Sequence, residues 1–228
     1  MKSRGVIVLG AILASAAFAQ APAPRLFKLG GKVGARYPMS IFTEMKSVGA
    51  QGAASFQGTI DETLLSAKPN ELTWQLAFKV AKTSESGVMK GAAAGFKQMD
   101  GLVMKRVTDP TGQTLKLMVG DISIPSSGTP DLVFAKRAVK VGDSWPSQIN
   151  MDGQMITIDY RLEQYGKFGQ TPAAKFTGRY RAGQIVRNLT LLTFWVDLKD
   201  GKTLSSAGAF RATKSGATID VKFELKRR

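Results

Sequence analysis

Apolar and polar residues alternate one for one along most of this chain. The clearest stretch is the C-terminal one. Ala217, Ile219, Val221, Phe223 and Leu225 fall on one side, and Thr218, Asp220, Lys222, Glu224 and Lys226 on the other. A period of two is the mark of an extended strand, whose successive side chains point to opposite faces. The same alternation puts Leu72, Trp74, Leu76, Phe78 and Val80 on one face, then Ile156, Ile158, Tyr160 and Leu162, then Ala174, Phe176, Gly178 and Tyr180. Each predicts an antiparallel strand with one buried and one wet face.

Turn chemistry separates these runs. Asp109-Pro110-Thr111-Gly112 joins apolar stretches at 102–108 and 113–119, and Lys199-Asp200-Gly201-Lys202 joins 190–198 to 203–213. Both place Pro or Gly where a tight turn favours them. Lys214-Ser215-Gly216 leads into the last run, so the C-terminal third reads as a meander. The pattern predicts about ten strands, several of roughly 9–12 residues and so about 30 Å long or more. Strands of that length favour one large, strongly curved antiparallel sheet, a half-barrel. The fold class is mainly β, or β-rich α+β.

Two segments break the period. Within 84–100, Met89, Ala92, Ala93, Phe96 and Met99 share a helical face, although Gly87, Gly91 and Gly95 weaken it. One short helix is expected there, as a lid on the curved sheet. The stretch 120–136 contains Pro125, Gly128 and Pro130 and predicts a long loop with a helical turn at 131–135.

The first residues read as an address. Lys2 and Arg4 precede an uncharged apolar run over 5–18, and Ala17-Phe18-Ala19 fits a small-x-small cleavage site. About 14 apolar residues are fewer than the roughly 20 a membrane-spanning helix needs. The expected organisation is a cleaved signal peptide over 1–19, a short linker over 20–24 and a single β-rich domain over 25–228. The expected location is periplasmic or extracellular, without a lipid anchor because no cysteine follows the cleavage site.

Composition then removes chemistry. The 228 residues contain no histidine and no cysteine. That excludes a Ser-His-Asp triad, imidazole base catalysis, a thiolate nucleophile, an iron–sulfur cluster and disulfides. Gly142-Asp143-Ser144-Trp145-Pro146 lacks the second glycine of a nucleophile elbow and reads as a turn entering a strand, with Trp145 anchoring the core. Asp61 and Glu62 are adjacent and face opposite sides of a strand, while Asp159 and Glu163 fall on a wet face. A carboxylate-based hydrolase is therefore a remote alternative. Asp197-Leu198-Lys199-Asp200-Gly201 approaches a calcium loop but has a lysine inside it. The expectation is a protein without catalytic residues, metal or cofactor.

Charge bears on partners. With 32 Lys and Arg against 17 Asp and Glu the chain carries +15, or +13 once Lys2 and Arg4 are removed. The basic residues are spread along the chain without an aromatic nucleic-acid motif, so no nucleic acid is expected. An anionic membrane surface or an acidic envelope polymer suits an exported protein better. Lys175, Arg179 and Arg181 line one strand face and are the expected headgroup-facing cations. Large apolar residues are plentiful on the other faces, with 12 Phe and 9 Met. The expected lining of an apolar cavity is Trp74, Phe78, Met89, Phe96, Tyr160, Phe194 and Phe223.

The segment Val139-Lys140-Val141-Gly142-Asp143-Ser144-Trp145, with the meander from 156 to 225 and its Asp200-Gly201 turn, resembles secreted bacterial half-barrel proteins. These are similar in outline to the lipoprotein-carrier (LolA/LppX-like) architecture, a long curved antiparallel sheet with a helix in its concave side. The carriers have more helix than this sequence predicts, and their lipid-anchored relatives have a cysteine that this chain lacks. The resemblance implies a fold and carries over no functional residue. The resulting expectation is a non-catalytic binding protein holding a lipid or acyl chain in the concave face. The alternative is a solid-core interaction module of the cell envelope with no small ligand.

Overall fold

The computed structural model describes residues 22–124, 132–151, 154–181, 191–214 and 217–228. The first six strands are β1 (Arg36–Ser47), β2 (Gly52–Lys68), β3 (Glu71–Gly87), β4 (Val103–Thr108), β5 (Thr114–Val119) and β6 (Ile122–Ile124). The other six are β7 (Ser144–Met151), β8 (Gln154–Phe168), β9 (Thr171–Tyr180), β10 (Leu192–Asp197), β11 (Thr203–Lys214) and β12 (Ala217–Arg227). The one helix among the described residues is α1 (Ala92–Lys97). All twelve strands form a single antiparallel sheet ordered β6-β5-β4-β3-β2-β1-β12-β11-β10-β9-β8-β7. It consists of two six-strand meanders joined where β1 pairs with β12, and its free edges are β6 and β7.

The alternation seen in the sequence sorts residues to two faces. Tyr37, Met39 and Ile41 of β1, and Ile158, Tyr160 and Leu162 of β8, are all buried on the inner face. Curvature makes that face a core. β7 lies ten positions from β5 in the sheet order, about 48 Å away on a flat sheet at 4.8 Å per strand. Yet Ser147 Oγ on β7 is 3.5 Å from Gln113 Oε1 just before β5. The sheet curls until its two ends nearly meet, and among the described residues no backbone ladder closes it.

Two core clusters result. The N-terminal meander packs Tyr37, Phe56, Leu64, Trp74 and Phe78. The C-terminal one packs Trp145, Tyr160, Phe176, Phe194 and Phe223. Leu29 and Leu225 pack against both.

The short helix lies where the sequence places a lid. Phe96 stacks on Phe56 of β2 at 5.4 Å between ring centroids, and Ala93 is buried beneath it. Glu85 of β3 accepts hydrogen bonds from the Gly91 and Ala93 backbone N–H groups and so starts the helix. The helix is shorter than 84–100 predicts, because the strand pairing of β3 with β2 continues to Gly87. Strands are also longer than expected, 17 residues in β2 and in β3.

The rest of the concavity is filled by chain that the periodicity did not mark. Residues 25–34 enter it from the N-terminal side. Arg25 makes an antiparallel bridge with Val139, Leu29 N–H donates to Pro110 and Gly30 N–H donates to Asp200. A second segment, Leu132 to Ala135, is buried and has no regular secondary structure, in place of the helical turn expected at 131–135, whose first residue lies outside the described residues. Its Phe134 N–H donates to Thr111, and Trp145 Nε1 donates to the Val133 carbonyl at 2.8 Å. Two turn glycines allow these segments to come close. A Cβ on Gly201 (φ +69) would lie 2.1 Å from the Lys28 carbonyl oxygen, and one on Gly112 (φ +90) 2.9 Å from that of Leu132. Both turns need left-handed backbone and both need bare backbone.

Candidate functional site

The filled concavity leaves a largely enclosed space of about 70 Å³ between the two cores, bounded by Leu29, Glu62, Arg106, Phe134, Phe194 and Lys202 among others. At 10–15 Å³ per water it has room for about five waters, far less than an acyl chain requires.

Its polar wall is a buried ion cluster. Glu62 (β2) faces inward, pairing with Arg106 (β4) at 3.0 Å and with Lys202, which leads into β11 from the other meander. The Lys202 ammonium also sits 4.1 Å from the centroid of the Trp74 ring and 5.2 Å from that of Tyr37, and the residue is 3% exposed. Trp74 Nε1 donates to Thr108 Oγ1. Burial alone would raise the pKa of Glu62; attraction to Lys202 and Arg106, with their hydrogen bonds, outweighs it and lowers the value to about 2. A carboxylate held that far below neutrality exchanges no protons at ordinary pH and acts as an electrostatic anchor. The Arg227 guanidinium also lies 4.7 Å from the Tyr37 ring centroid and pairs with Asp197 at 3.2 Å. Burial, and next the charge and hydrogen bond of Asp200, push the Tyr37 hydroxyl up to about 12. The cluster joins β1, β2, β3 and β4 of one meander to the β10–β11 turn and β12 of the other.

A larger space opens where the sheet fails to close. A groove of about 690 Å³ runs between β7 and the β4–β5 turn. Val133, Phe134, Ala135 and Trp145 line it, Met155 stands on its wall at 61% exposure, and Lys136 and Arg137 lie along it. Arg137 pairs with Asp143 at 3.1 Å, and Asp143 also accepts the Lys140 N–H. The Asp143 carboxyl is lowered first by the Arg137 hydrogen bond and then by that backbone N–H. Phe134 lines both the groove and the enclosed space.

The residues expected to line a cavity are distributed differently. Trp74 and Phe78 belong to the N-terminal core with Phe96 packed against it, while Tyr160, Phe194 and Phe223 belong to the C-terminal core. Met89 is half-buried in the β3–α1 connection and joins neither cluster. Of the seven, only Phe194 borders the enclosed space, and none borders the groove. Lys175, Arg179 and Arg181 share the outer face of the sheet, directed away from both spaces. Arg181 pairs with Asp159 at 2.7 Å and holds that carboxyl below its usual range, and Lys175 lies over Trp195 at 6.0 Å.

Sequence reasoning missed the groove and the ion cluster. Glu62 alternates correctly as an inward residue, but nothing local says that Lys202, 140 residues away, meets it. The groove's floor comes from 133–137, which reads as an aperiodic loop. The one available signal was four consecutive apolar residues, Leu132-Val133-Phe134-Ala135, inside a turn-rich stretch.

No family model matches the chain, and no curated protein sequence matches it. Among solved structures, one concerned with lipid–protein interactions in lipovitellin aligns with a TM-score of 0.49 and 10% identity, over 86% of this chain and 25% of that one. The chain spans about a quarter of that protein's length. A likeness this distant fixes neither fold family nor function.

Proposed function

We propose that this is an exported, non-catalytic binding protein whose ligand is amphipathic, with an apolar tail and an anionic head, and that the ligand lies in the groove beside β7. The observation that supports this reading is the groove itself. Its 690 Å³ falls in the 300–1,000 Å³ range of small-molecule sites, and a Trp, a Phe and a Met on its walls sit beside two cations. The position departs from the simple picture of a ligand under the concave sheet, because two segments of the chain already occupy that volume. Export rests on the basic, apolar and small-residue order of 1–19.

The test is native mass spectrometry of protein purified gently from its host, followed by organic extraction and lipid analysis. A stoichiometric lipid supports the reading. Met155→Asp, at an exposed position that leaves both cores intact, is then expected to weaken binding at least tenfold, from lost apolar contact and an added anion. Lys136→Glu is expected to weaken binding of fatty acids more than of their neutral alcohols. A clean apo mass, with no stabilisation by palmitate or phospholipid, overturns the reading in favour of a solid-core interaction module. The small size of the enclosed space is the observation that favours that second reading.

A further inference from the structure

On the outer face of the C-terminal meander, opposite the core, two aromatic rings are presented to solvent. Phe168, at the end of β8, and Trp195 on β10 are half-buried and lie 5.9 Å apart between ring centroids. A lysine flanks each ring: Lys175 Nζ is 6.0 Å from the Trp195 centroid, and Lys226 Nζ is 6.0 Å from that of Phe168. Register places further cations on the same face, Arg179 four residues beyond Lys175 and Lys222 four before Lys226. Lys199 is exposed in the adjoining β10–β11 turn. The carboxylates of that turn are directed elsewhere: Asp197 pairs with Arg227, and Asp200 bonds the Lys202 N–H and lies 4.0 Å from Arg227. Among the described residues neither Lys175 nor Lys226 has a carboxylate within ion-pair distance.

We infer that this corner of the outer face docks on an anionic lipid bilayer, with Trp195 and Phe168 at headgroup depth and Lys175 and Lys226 against lipid phosphates. The charges are complementary to an anionic surface, and each lysine near such a surface adds to the attraction. The aromatic pair decides between partners. Rings with one apolar face and a polar surround settle at a bilayer interface, whereas a soluble polyanion needs the lysines alone. The pair lies near the β8–β9 and β10–β11 turns rather than mid-sheet. The surface is distinct from the groove, and the inference does not depend on the groove being occupied.

The test is co-sedimentation of the protein as its host produces it with vesicles of phosphatidylcholine, with and without one-third phosphatidylglycerol. The expected result is binding only to the anionic vesicles, falling as salt is raised. Lys175→Gln with Lys226→Gln is expected to weaken partitioning about 30-fold, at roughly fivefold per charge removed. Lys79→Gln with Lys105→Gln removes the same charge from the outer face of β3 and β4 and is expected to change little. Trp74 and Trp145 are buried, so a blue shift and reduced acrylamide quenching on vesicle addition report Trp195. Binding that survives the first double variant, or falls equally with the second, overturns the inference, because diffuse net charge would then be the cause. Binding to dextran sulfate without binding to anionic vesicles overturns it in favour of a polymer partner. Met155→Asp is expected to leave vesicle binding unchanged, which separates failure here from failure of the groove reading.

Discussion

The two meanders solve one problem by different means. Each is six antiparallel strands with an apolar inner face that water must not reach. The N-terminal meander covers its face largely with local chain: α1 comes from the connection between β3 and β4 and lays Phe96 on Phe56 of the neighbouring strand. The C-terminal meander has no helix among its described residues. Its face is covered by Phe27 from before β1 and by Leu132 to Val139 from the link between the meanders. Phe27 meets Phe176 edge-on at 5.0 Å and stacks on Phe134 at 5.7 Å. A curved sheet requires a filler, and the filler can be a short helix from one connection or irregular chain, of which Phe27 lies more than a hundred residues before the ring it meets. The first kind breaks locally. The second ties the two ends of the chain's order into one cooperative core.

Truncating the irregular filler, the strap over 132–139, should therefore have the larger effect. Phe134→Ala removes a ring held by Phe27 and Phe176, and it enlarges a space that already exists beside it. Deleting a buried Phe costs about 3–5 kcal/mol, toward the upper end where the site cannot collapse. Urea unfolding is expected to show a loss of about 4 kcal/mol with a single transition. A loss under about 1 kcal/mol would mean the strap is a dispensable cover and the C-terminal core is complete without it.

The ion cluster tests whether the two meanders are also locked electrostatically. Glu62→Gln leaves Lys202 and Arg106 facing each other without their anion. Breaking a buried pair costs about 3–5 kcal/mol. The pKa of Glu62 gives an independent figure. It is lowered from 4.5 to about 2 on folding, which corresponds to about 3 kcal/mol of stability. A depressed folded-state value means that this contribution is complete above pH 4.5 and is lost as pH falls toward 2. Parent and Glu62→Gln are thus expected to differ by about 3 kcal/mol at pH 7 and to converge near pH 2. Unfolding curves that stay parallel from pH 7 to pH 2 would show that the carboxylate is not what joins the halves. Lys202→Met is expected to cost less than Glu62→Gln, since Arg106 still neutralises Glu62 and an apolar side chain fills the space beside Trp74.

What the sequence showed and what it hid follow the same division. Strand faces were legible because alternation is local: Ile158, Tyr160 and Leu162, and Phe176 with Tyr180, are buried as their period requires. The Asp109–Gly112 turn was legible from its own chemistry, and Asp109 does accept the Thr111 and Gln113 N–H groups. The lid was legible in type and not in length, because Gly87 still pairs with Gly52 where the helical face of 84–100 had already begun. The strap was not legible. A buried segment with no regular structure leaves no period, and its partners, Thr111 and Trp145, are brought to it only by closure of the whole sheet. Alternation put Glu62 on the face opposite Asp61, but the ion cluster left no local sign, since its second cation comes from the opposite meander.

The local filler supplies the smallest effect and the sharpest contrast. Phe96 is half-buried, held by one stacked ring and by a helix of six residues with Gly91 before it and Gly95 within it. Half the burial of a phenylalanine corresponds to about 1 kcal/mol. Phe96→Ala is expected to cost that amount in global unfolding, and to raise hydrogen exchange over 88–100 while 132–139 and β9 stay protected. The ring that Phe96 covers, Phe56, is already 2% exposed beneath several neighbours, so losing the lid bares it without dismantling the core. If Phe96→Ala instead costs as much as Phe134→Ala and exposes both meanders together, the helix is as integral as the strap. The two fillers would then differ in their secondary structure and not in their role.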